Sequence, residues 1–386
     1  TILFARHLLM PQNAVAITLN ASQSLNTKTG QKLLSALTDN GIMVPSVCAG
    51  AGTCGLCKIK IDEGVEDTGP VEKARLSTAE IRNGIHLACQ VTLRGPVSVT
   101  VPDSLLNAES VECTVVSSRF LTPLIRELVL QFPEGKWPDI EAGDYIQLEA
   151  PIYELDFATL NVPAQYEETW QTLRGLHSKN EAPLTRAYSI SNRLKDTQAG
   201  QIVLNIRLAL PPPSNEDAPP GIVSSWLFSL ESGDTVGATG PFGSFRAQDT
   251  EKEMIFIGGG VGMAPLRAII HEQTEVFKTR RKLSLWYGAR SRAELFYVEE
   301  LDALEKQHEN FSWVVSLSEP APDDNWDGAT GFIHSVVLEQ YLRQHPAPED
   351  CEYYLCGPPL MMKAVRAMLD DLGVEPDSVF FDDFGV

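Results

Sequence analysis

Three cysteines, Cys48, Cys54 and Cys57, stand within ten residues in a loop that reads CAGAGTCGLC. Thiols so closely spaced must share one small region of the fold. Gly50, Gly52 and Gly55 lie among them and permit backbone conformations that side chains disfavour. A fourth, Cys89, follows after 31 residues in IHLACQV. Seven cysteines in 386 residues are too few for a disulfide scaffold, and the odd number leaves one unpaired. No charged-apolar-small signal opens the chain, so a reducing, cytoplasmic setting is expected. Clustered thiols in that setting bind metal more often than one another.

Which metal follows from spacing. Four thiolates can hold a [2Fe–2S] cluster, and the plant-type pattern is C-x4-C-x2-C with a distant fourth cysteine. Here the pattern is Cys48-x5-Cys54-x2-Cys57 with Cys89 beyond, a variant by one residue. Zinc is the competing reading, but its sites usually pair short C-x2–4-C hooks at both ends. Cys89 stands without a second hook, which favours iron–sulfur. Around the loop, AVAITLN, CKIKIDEG and VSVTVP alternate with the period of strands, while GQKLLSALTDNG has helical spacing and a stop at Gly41. A mixed sheet crossed by one helix is expected, with the cluster loop at one end.

The remaining length calls for further domains, since single cores rarely grow beyond ~250–300 residues. After Val111, short alternating runs separated by Gly, Pro and Asp predict an antiparallel barrel. Within it, RAYSISN offers a cation, a flat ring and a hydroxyl at Arg186, Tyr188 and Ser189. Alternation puts Arg186 and Tyr188 on one face and Ser189 on the other. PPGIVSSWLFSL places Gly221 before a short helix with Ser224 and Ser225 in its first turn, either an anion site or a capped helix without ligand. From Met254 the texture becomes alternating strand and helix, the pattern of a doubly wound parallel sheet. Gly258, Gly259, Gly260 and Gly262 let a backbone approach a dinucleotide pyrophosphate, although Met263 stands where the last Rossmann glycine would fall. Ligands on such sheets sit at strand carboxyl ends, where this turn and the CGPP beginning at Cys356 both fall.

A net charge of −20 argues against nucleic acid and anionic lipid as partners. No internal stretch spans a bilayer: MIFIGGGVGMAPLRAII is broken by its glycines, Pro265 and Arg267. The opening TILFARHLLMPQ supports two readings from its residues alone, the end of a longer anchor or an ordinary tail. There is no HExxH metal pair and no G-x-S-x-G elbow. The PPP at Pro211 and the acidic residues after it read as a stiff exposed connection. Cys113 and Cys351 have no ligand context and are expected in the core.

Taken together, these motifs resemble the ferredoxin–NADP reductase superfamily with a fused ferredoxin domain. Within it, the chain is similar to the F-subunit family of sodium-translocating NADH:quinone oxidoreductases. The resemblance rests on the cysteine loop with Cys89, RAYSISN, PPGIVSSW, GPFGSF, FIGGGVGMAP, WYGARS, CGPP, the terminal DDFG, and the PIYELDFATLNVPAQYEETWQTL insertion that simpler oxygenase reductases usually lack. It implies a multidomain α+β and α/β architecture: a β-grasp ferredoxin domain over 13–110, an antiparallel β-barrel FAD domain over 111–250 and a doubly wound parallel-sheet NADH domain over 251–386. Residues 1–12 would then be the remnant of a membrane anchor, at the cytoplasmic face of a bacterial inner membrane.

The resemblance also implies roles. Cys48, Cys54, Cys57 and Cys89 would bind the [2Fe–2S] cluster. Arg186, Tyr188 and Ser189 would hold FAD, with Tyr188 against its ring, and Gly221, Val223 and Ser224 would line its pyrophosphate. Phe384 would cover the other ring face. Gly258, Gly259, Gly260 and Gly262 would hold the NADH pyrophosphate, with Cys356, Gly357 and Pro358 near the nicotinamide. Cys356, Tyr188 and Phe384 would thus flank the hydride path. The partners implied are membrane subunits of a quinone reductase, with NADH as substrate; an oxygenase reductase is the alternative and an inactive docking module the third. GARSRAE carries no acid at its strand end for a ribose 2′-OH, and Arg290 or Arg292 could meet a 2′-phosphate, so NADH is the expectation of the resemblance alone.

Overall fold

The structure, a computed structural model, describes residues 13–46, 50–52, 55–65, 68–76, 78–106, 110–212, 215, 218–322 and 324–382. They fall into two compact units, one before Ser110 and one spanning Ser110–Asp382.

In the first unit, five strands form a mixed sheet: β1 (Ala14–Leu19), β2 (Gln23–Lys28), β3 (Lys58–Glu63), β4 (Ile85–Leu87) and β5 (Val97–Thr100), in the order β2-β1-β5-β3-β4. Alternation decides which face is buried. Val15, Ile17 and Leu19 of β1 and Val97 and Val99 of β5 are all buried. The helix Leu33–Asp39 buries Leu33, Ala36 and Leu37, the three-to-four spacing that gives a helix one apolar stripe. It stops at Gly41, whose φ of +81° suits glycine, and the Gly41 N–H donates to Thr38 O at 2.9 Å. This is the expected sheet crossed by a helix.

The second unit holds the other sheets. Six antiparallel strands, β6 (Ser110–Thr122), β7 (Ile125–Gln131), β8 (Tyr145–Ala150), β11 (Leu184–Ser189), β12 (Gln201–Arg207) and β13 (Thr235–Phe242), run in the order β11-β8-β13-β6-β7-β12. A bridge between Ile190 and Leu204 joins the two edges, and the Ser191 N–H reaches Val203 O at 2.8 Å. That closes the sheet into a barrel and removes its open edges. Between β8 and β11 the insertion adds a hairpin of β9 (Tyr153–Asp156) and β10 (His177–Asn180) and a short helix, Glu167–Gln171. It is held by Trp170, which is fully buried against Phe157 and Phe228 while its Nε1–H donates to Pro123 O at 2.8 Å. A buried indole with its N–H satisfied anchors an insertion on both apolar and polar counts.

The remaining strands are all parallel: β14 (Met254–Gly259), β15 (Leu283–Ala289), β16 (Phe311–Leu317), β17 (Ala329–Thr330), β18 (Glu352–Cys356) and β19 (Val379–Asp382), in the order β17-β16-β15-β14-β18-β19. Every residue of β14 and β18 is buried, as a sheet covered on both faces requires. Strand order reverses between β14 and β18, so a crevice opens at their carboxyl ends. The chain is therefore multidomain α+β and α/β, as the sequence implied. Among the described residues no helix is long and apolar enough to cross a membrane.

Candidate functional site

Cys57 precedes β3 and Cys89 follows β4, and these strands pair with Lys58 opposite Leu87. The Ala88 N–H closes the pair on Cys57 O at 2.8 Å. Both thiols are thereby buried side by side. A hydrogen bond from Cys57 leads the causes that bring the Cys89 thiol down to about 6 against its burial, with help from Gln90, the Gly52 backbone and Lys32. The Gln90 amide donates to Cys89 Sγ at 3.2 Å and to Gly50 O at 3.3 Å. Gly52, at φ +78°, leaves no room for a Cβ, which would lie 2.5 Å from Gln90 Nε2. Paired thiols, one of them biased toward thiolate, beside the crowded Gly52 make a donor set that fits an iron–sulfur centre. Cys48 and Cys54 lie outside the described residues.

In the second unit, β11 carries the barrel's candidate residues. Arg186 makes no ion pair with an acid among the described residues; its Nη1 donates to Thr185 O at 2.8 Å. A half-exposed guanidinium without a carboxylate partner suits a phosphate. Tyr188 packs against the barrel core, and burial pushes its phenol well above the ordinary range. Ser189 points the other way, as alternation requires: its Oγ donates to Asp382 Oδ2 at 3.1 Å. Asp382 ends β19 in register with Cys356 at the end of β18. The barrel strand and the parallel sheet thus meet at Ser189, Asp382 and Cys356.

Gly221 opens the helix Ile222–Ser229 and has no room for a side chain, since a Cβ would lie 2.6 Å from that of Ala209. Ser224 is committed within the protein: its Oγ accepts from Ala209 N–H at 3.2 Å and donates to Gly221 O at 3.0 Å. Val223 turns its side chain into the barrel core. What Val223 and Ser224 can offer a pyrophosphate is therefore their first-turn N–H groups, which have no intrahelical acceptor.

The glycine turn after β14 is built against the end of β18. A Cβ on Gly262 would lie 2.1 Å from Cys356 O, and one on Gly258 would lie 2.6 Å from Leu266 Cδ1. Gly357 is equally tight, 2.6 Å from Met361 Cε, and Pro358 borders Gly259. Gly260 adopts φ +55°, and its carbonyl accepts from Tyr287 Oη at 3.0 Å. The helix Met263–His271 follows directly, with Pro265 in its first turn where a missing N–H costs nothing. Cys356, Gly357 and Pro358 thus border the turn at the topological switch point. Phe384 lies outside the described residues.

Three features were not foreseen. Asp382 is one, since 193 residues separate it from Ser189. The second concerns Arg290 and Arg292. Arg290 pairs with Glu294 at 2.5 Å, and Arg292 donates its backbone N–H to Asp324 Oδ2 at 3.2 Å and its Nη1 to Asp324 O at 2.8 Å. The acid missing from the strand end thus arrives from Glu294 and from a loop beyond β16. The third is a buried network across barrel and parallel sheet. Arg267 is 1% exposed, donates to Glu300 at 2.5 and 2.8 Å and to Ser191 O, and lies 4.2 Å from the Tyr297 ring centroid. Glu300 also meets Arg193 at 2.7 Å and His271 at 3.0 Å. Burial alone would raise the Glu300 carboxyl, but the Arg267 and His271 hydrogen bonds outweigh it and hold the group well below the carboxylate range.

Comparison with known proteins agrees with this geometry. A family profile described as "2Fe-2S iron-sulfur cluster binding domain" matches residues 17–94, and one described as "Oxidoreductase NAD-binding domain" matches residues 256–367. Among solved structures, the Amycolatopsis cytochrome P450 reductase GcoB is 25% identical at a TM-score of 0.63, covering 96% of this chain and 98% of its own. The ferredoxin reductase in carbazole 1,9a-dioxygenase is also 25% identical, at a TM-score of 0.60 and coverages of 97% and 99%. The F-subunit of the Na(+)-translocating NADH-quinone reductase of Neisseria meningitidis is 45% identical over 386 residues, covering 100% of this chain and 95% of the relative. The corresponding F-subunits of Histophilus somni and Pasteurella multocida are each 45% identical over 388 residues, with the same coverages. The chain is an oxidoreductase with [2Fe–2S], FAD and NADH domains, and it belongs to the F-subunit family of the Na(+)-translocating NADH-quinone reductases.

Proposed function

We propose that this chain is the NADH-oxidising, electron-input subunit of a sodium-translocating quinone reductase, working against membrane subunits at the cytoplasmic face of a bacterial inner membrane. The observation that carries the reading is the convergence of Ser189, Asp382 and Cys356 through the 3.1 Å Ser189–Asp382 bond and the Cys356–Asp382 register. It brings the end of the flavin strand beside the end of the nucleotide crevice, as hydride chemistry needs. Flavin supplies the needed conversion, since it accepts two electrons together and releases them singly.

The chain's own residues do the rest. Arg186 and the first turn after Gly221 are the anion donors for FAD, and Tyr188 supplies a ring to stack on. Gly258, Gly259, Gly260 and Gly262 give the dinucleotide close backbone approach. Cys356, Gly357 and Pro358 border the place where the nicotinamide would lie, and Cys356 offers a buried, polarizable sulfur there. Phe384 is proposed as the cover of the flavin ring. Cys57 and Cys89, with Cys48 and Cys54, are the cluster ligands. Residues 13–110, 111–250 and 251–386 are proposed as the three functional domains. Glu294 and Asp324 would oppose a 2′-phosphate and so support NADH as donor.

A second reading is an oxygenase reductase, favoured by the full-length likeness to GcoB and the carbazole dioxygenase reductase. Purifying the native protein from its source membranes in mild detergent, with mass spectrometry of what accompanies it, separates the two. Several multi-span subunits are expected. A hydroxylase as the sole partner would overturn the quinone-reductase reading.

A further inference from the structure

The parallel sheet has two ends, and the nucleotide turn uses only the carboxyl one. At the amino end three different donors meet. Glu253 immediately precedes β14, Cys351 immediately precedes β18, and His345 lies in the connection leading to Cys351. The ladder brings the first two together: the Glu352 N–H donates to Glu253 O at 2.8 Å. Their ligand atoms lie within 4.8 Å of one another. His345 Nε2 is 3.2 Å from Glu253 Oε2 and 3.8 Å from Cys351 Sγ.

A simple histidine–carboxylate pair would satisfy the two polar groups. It would not require a thiol against the same ring nitrogen. We propose that Glu253, His345 and Cys351 supply three ligands of a site for a borderline divalent metal, zinc foremost, at the amino end of the sheet, with solvent as the fourth.

Two of the separations, 3.2 and 3.8 Å, lie near those that this ion needs. Bonds of ~2.3 Å to sulfur and ~2.0 Å to nitrogen or oxygen give tetrahedral edges of about 3.3–3.6 Å. The set of thiolate, imidazole and carboxylate suits zinc better than magnesium or calcium, which take oxygen. Charge also balances, because one thiolate and one carboxylate neutralise a dication. The supporting residues orient the acid: Glu253 Oε1 accepts from Tyr341 Oη and lies 3.5 Å from Lys282 Nζ, which leaves Oε2 toward His345. Such outer partners tune affinity in known metal sites.

Two rearrangements accompany binding. Burial pushes the Cys351 thiol up to about 12, so metal uptake displaces its proton. His345 Nδ1 now accepts from Ala347 N–H at a long 3.3 Å; with Nε2 on the metal, Nδ1 carries the ring proton and that contact is released. Cys351, Glu253 and His345 belong to segments flanking two adjacent strands. A metal here would pin the sheet's amino end, far along the strands from the nucleotide turn.

Holoenzyme carrying FAD and its cluster provides the test, with Zn2+ uptake measured by metal analysis after dialysis and Co2+ as the optical probe. One equivalent should bind, and Co2+ should give a thiolate-to-metal charge-transfer band. Cys351→Ser and His345→Gln should each lower affinity by more than roughly 100-fold, and Cys351→Ser should also remove that band, while flavin content and NADH:ferricyanide turnover stay unchanged. Glu253→Gln is the second variant should Cys351→Ser fail to fold; it should weaken uptake and keep the band. Equal uptake by wild type and all three variants would overturn the proposal, as would no retained metal or a Co2+ spectrum without sulfur character.

Discussion

Ser189 Oγ donates to Asp382 Oδ2 across 3.1 Å, joining a barrel strand to the last strand of the parallel sheet. If this pair positions the nicotinamide against the flavin, each partner matters through the other. Ser189→Ala and Asp382→Asn should each slow flavin reduction by NADH by roughly tenfold, about the worth of one charge-assisted hydrogen bond. The double variant should be little worse than either single one. Stopped-flow reduction under single turnover reads this directly, and fully additive losses would separate the two residues.

Tyr188 packs on the barrel core and presents its ring beside Arg186 on the same strand. Tyr188→Ala should weaken FAD retention by roughly tenfold, while Tyr188→Phe retains it, because the ring face and not the phenol does the stacking. Flavin occupancy after gel filtration measures the difference. Full occupancy in the alanine variant would remove Tyr188 from the site.

Glu294 holds the Arg290 guanidinium, while Arg292 Nη1 is held by the Asp324 main-chain carbonyl. Glu294→Gln, which frees Arg290, should raise kcat/KM for NADPH by roughly tenfold with little change for NADH. An unchanged ratio would show that the ribose lies elsewhere.

Arg267 is buried beside Ser191 with the half-buried Glu300 as its acid, so removing that carboxylate strands a buried cation. Glu300→Gln should destabilise the Ser110–Asp382 unit by about 3–5 kcal/mol. The pH dependence follows from the lowered Glu300 carboxyl. Its contribution is fully present above the unfolded glutamate value of about 4.3 and is lost progressively as pH falls below it toward the folded value. Thermal melting of wild type against Glu300→Gln should therefore show a gap that narrows below about pH 4. A gap independent of pH would remove the ion pair as its cause.

The sequence revealed what depends on short segments. The glycine-rich turn from Gly258 to Gly262 and the cysteine spacing are local signatures, because Gly258 and Gly262 leave no room for a side chain and the spacing of the thiols is written in one short segment. Strand alternation likewise put Ser189 opposite Tyr188. Relationships across the fold were hidden. Asp382 reaches Ser189, and Asp324 reaches Arg292, only after the parallel sheet has formed. Arg267 read as a residue that spoiled a membrane span, since nothing local reveals that Glu300 and Ser191 will enclose it. Val223 and Ser224 were expected to line a pyrophosphate, and because packing claims the first side chain and hydrogen bonding the second, only their backbone N–H groups are left for it. Cys351 was expected in the core and is buried there, but the ladder that sets Glu253 beside it and the loop that carries His345 are both tertiary.

The central claim is that NADH oxidation and electron delivery are separable steps in one chain, and Cys89→Ser tests it most directly. Purified with FAD, this variant should lack the cluster's EPR signal, bleach its flavin with NADH at the wild-type rate, and fail to support quinone reduction in membranes. A variant that loses flavin reduction with its fold intact, or keeps quinone reduction without a cluster, would contradict the account.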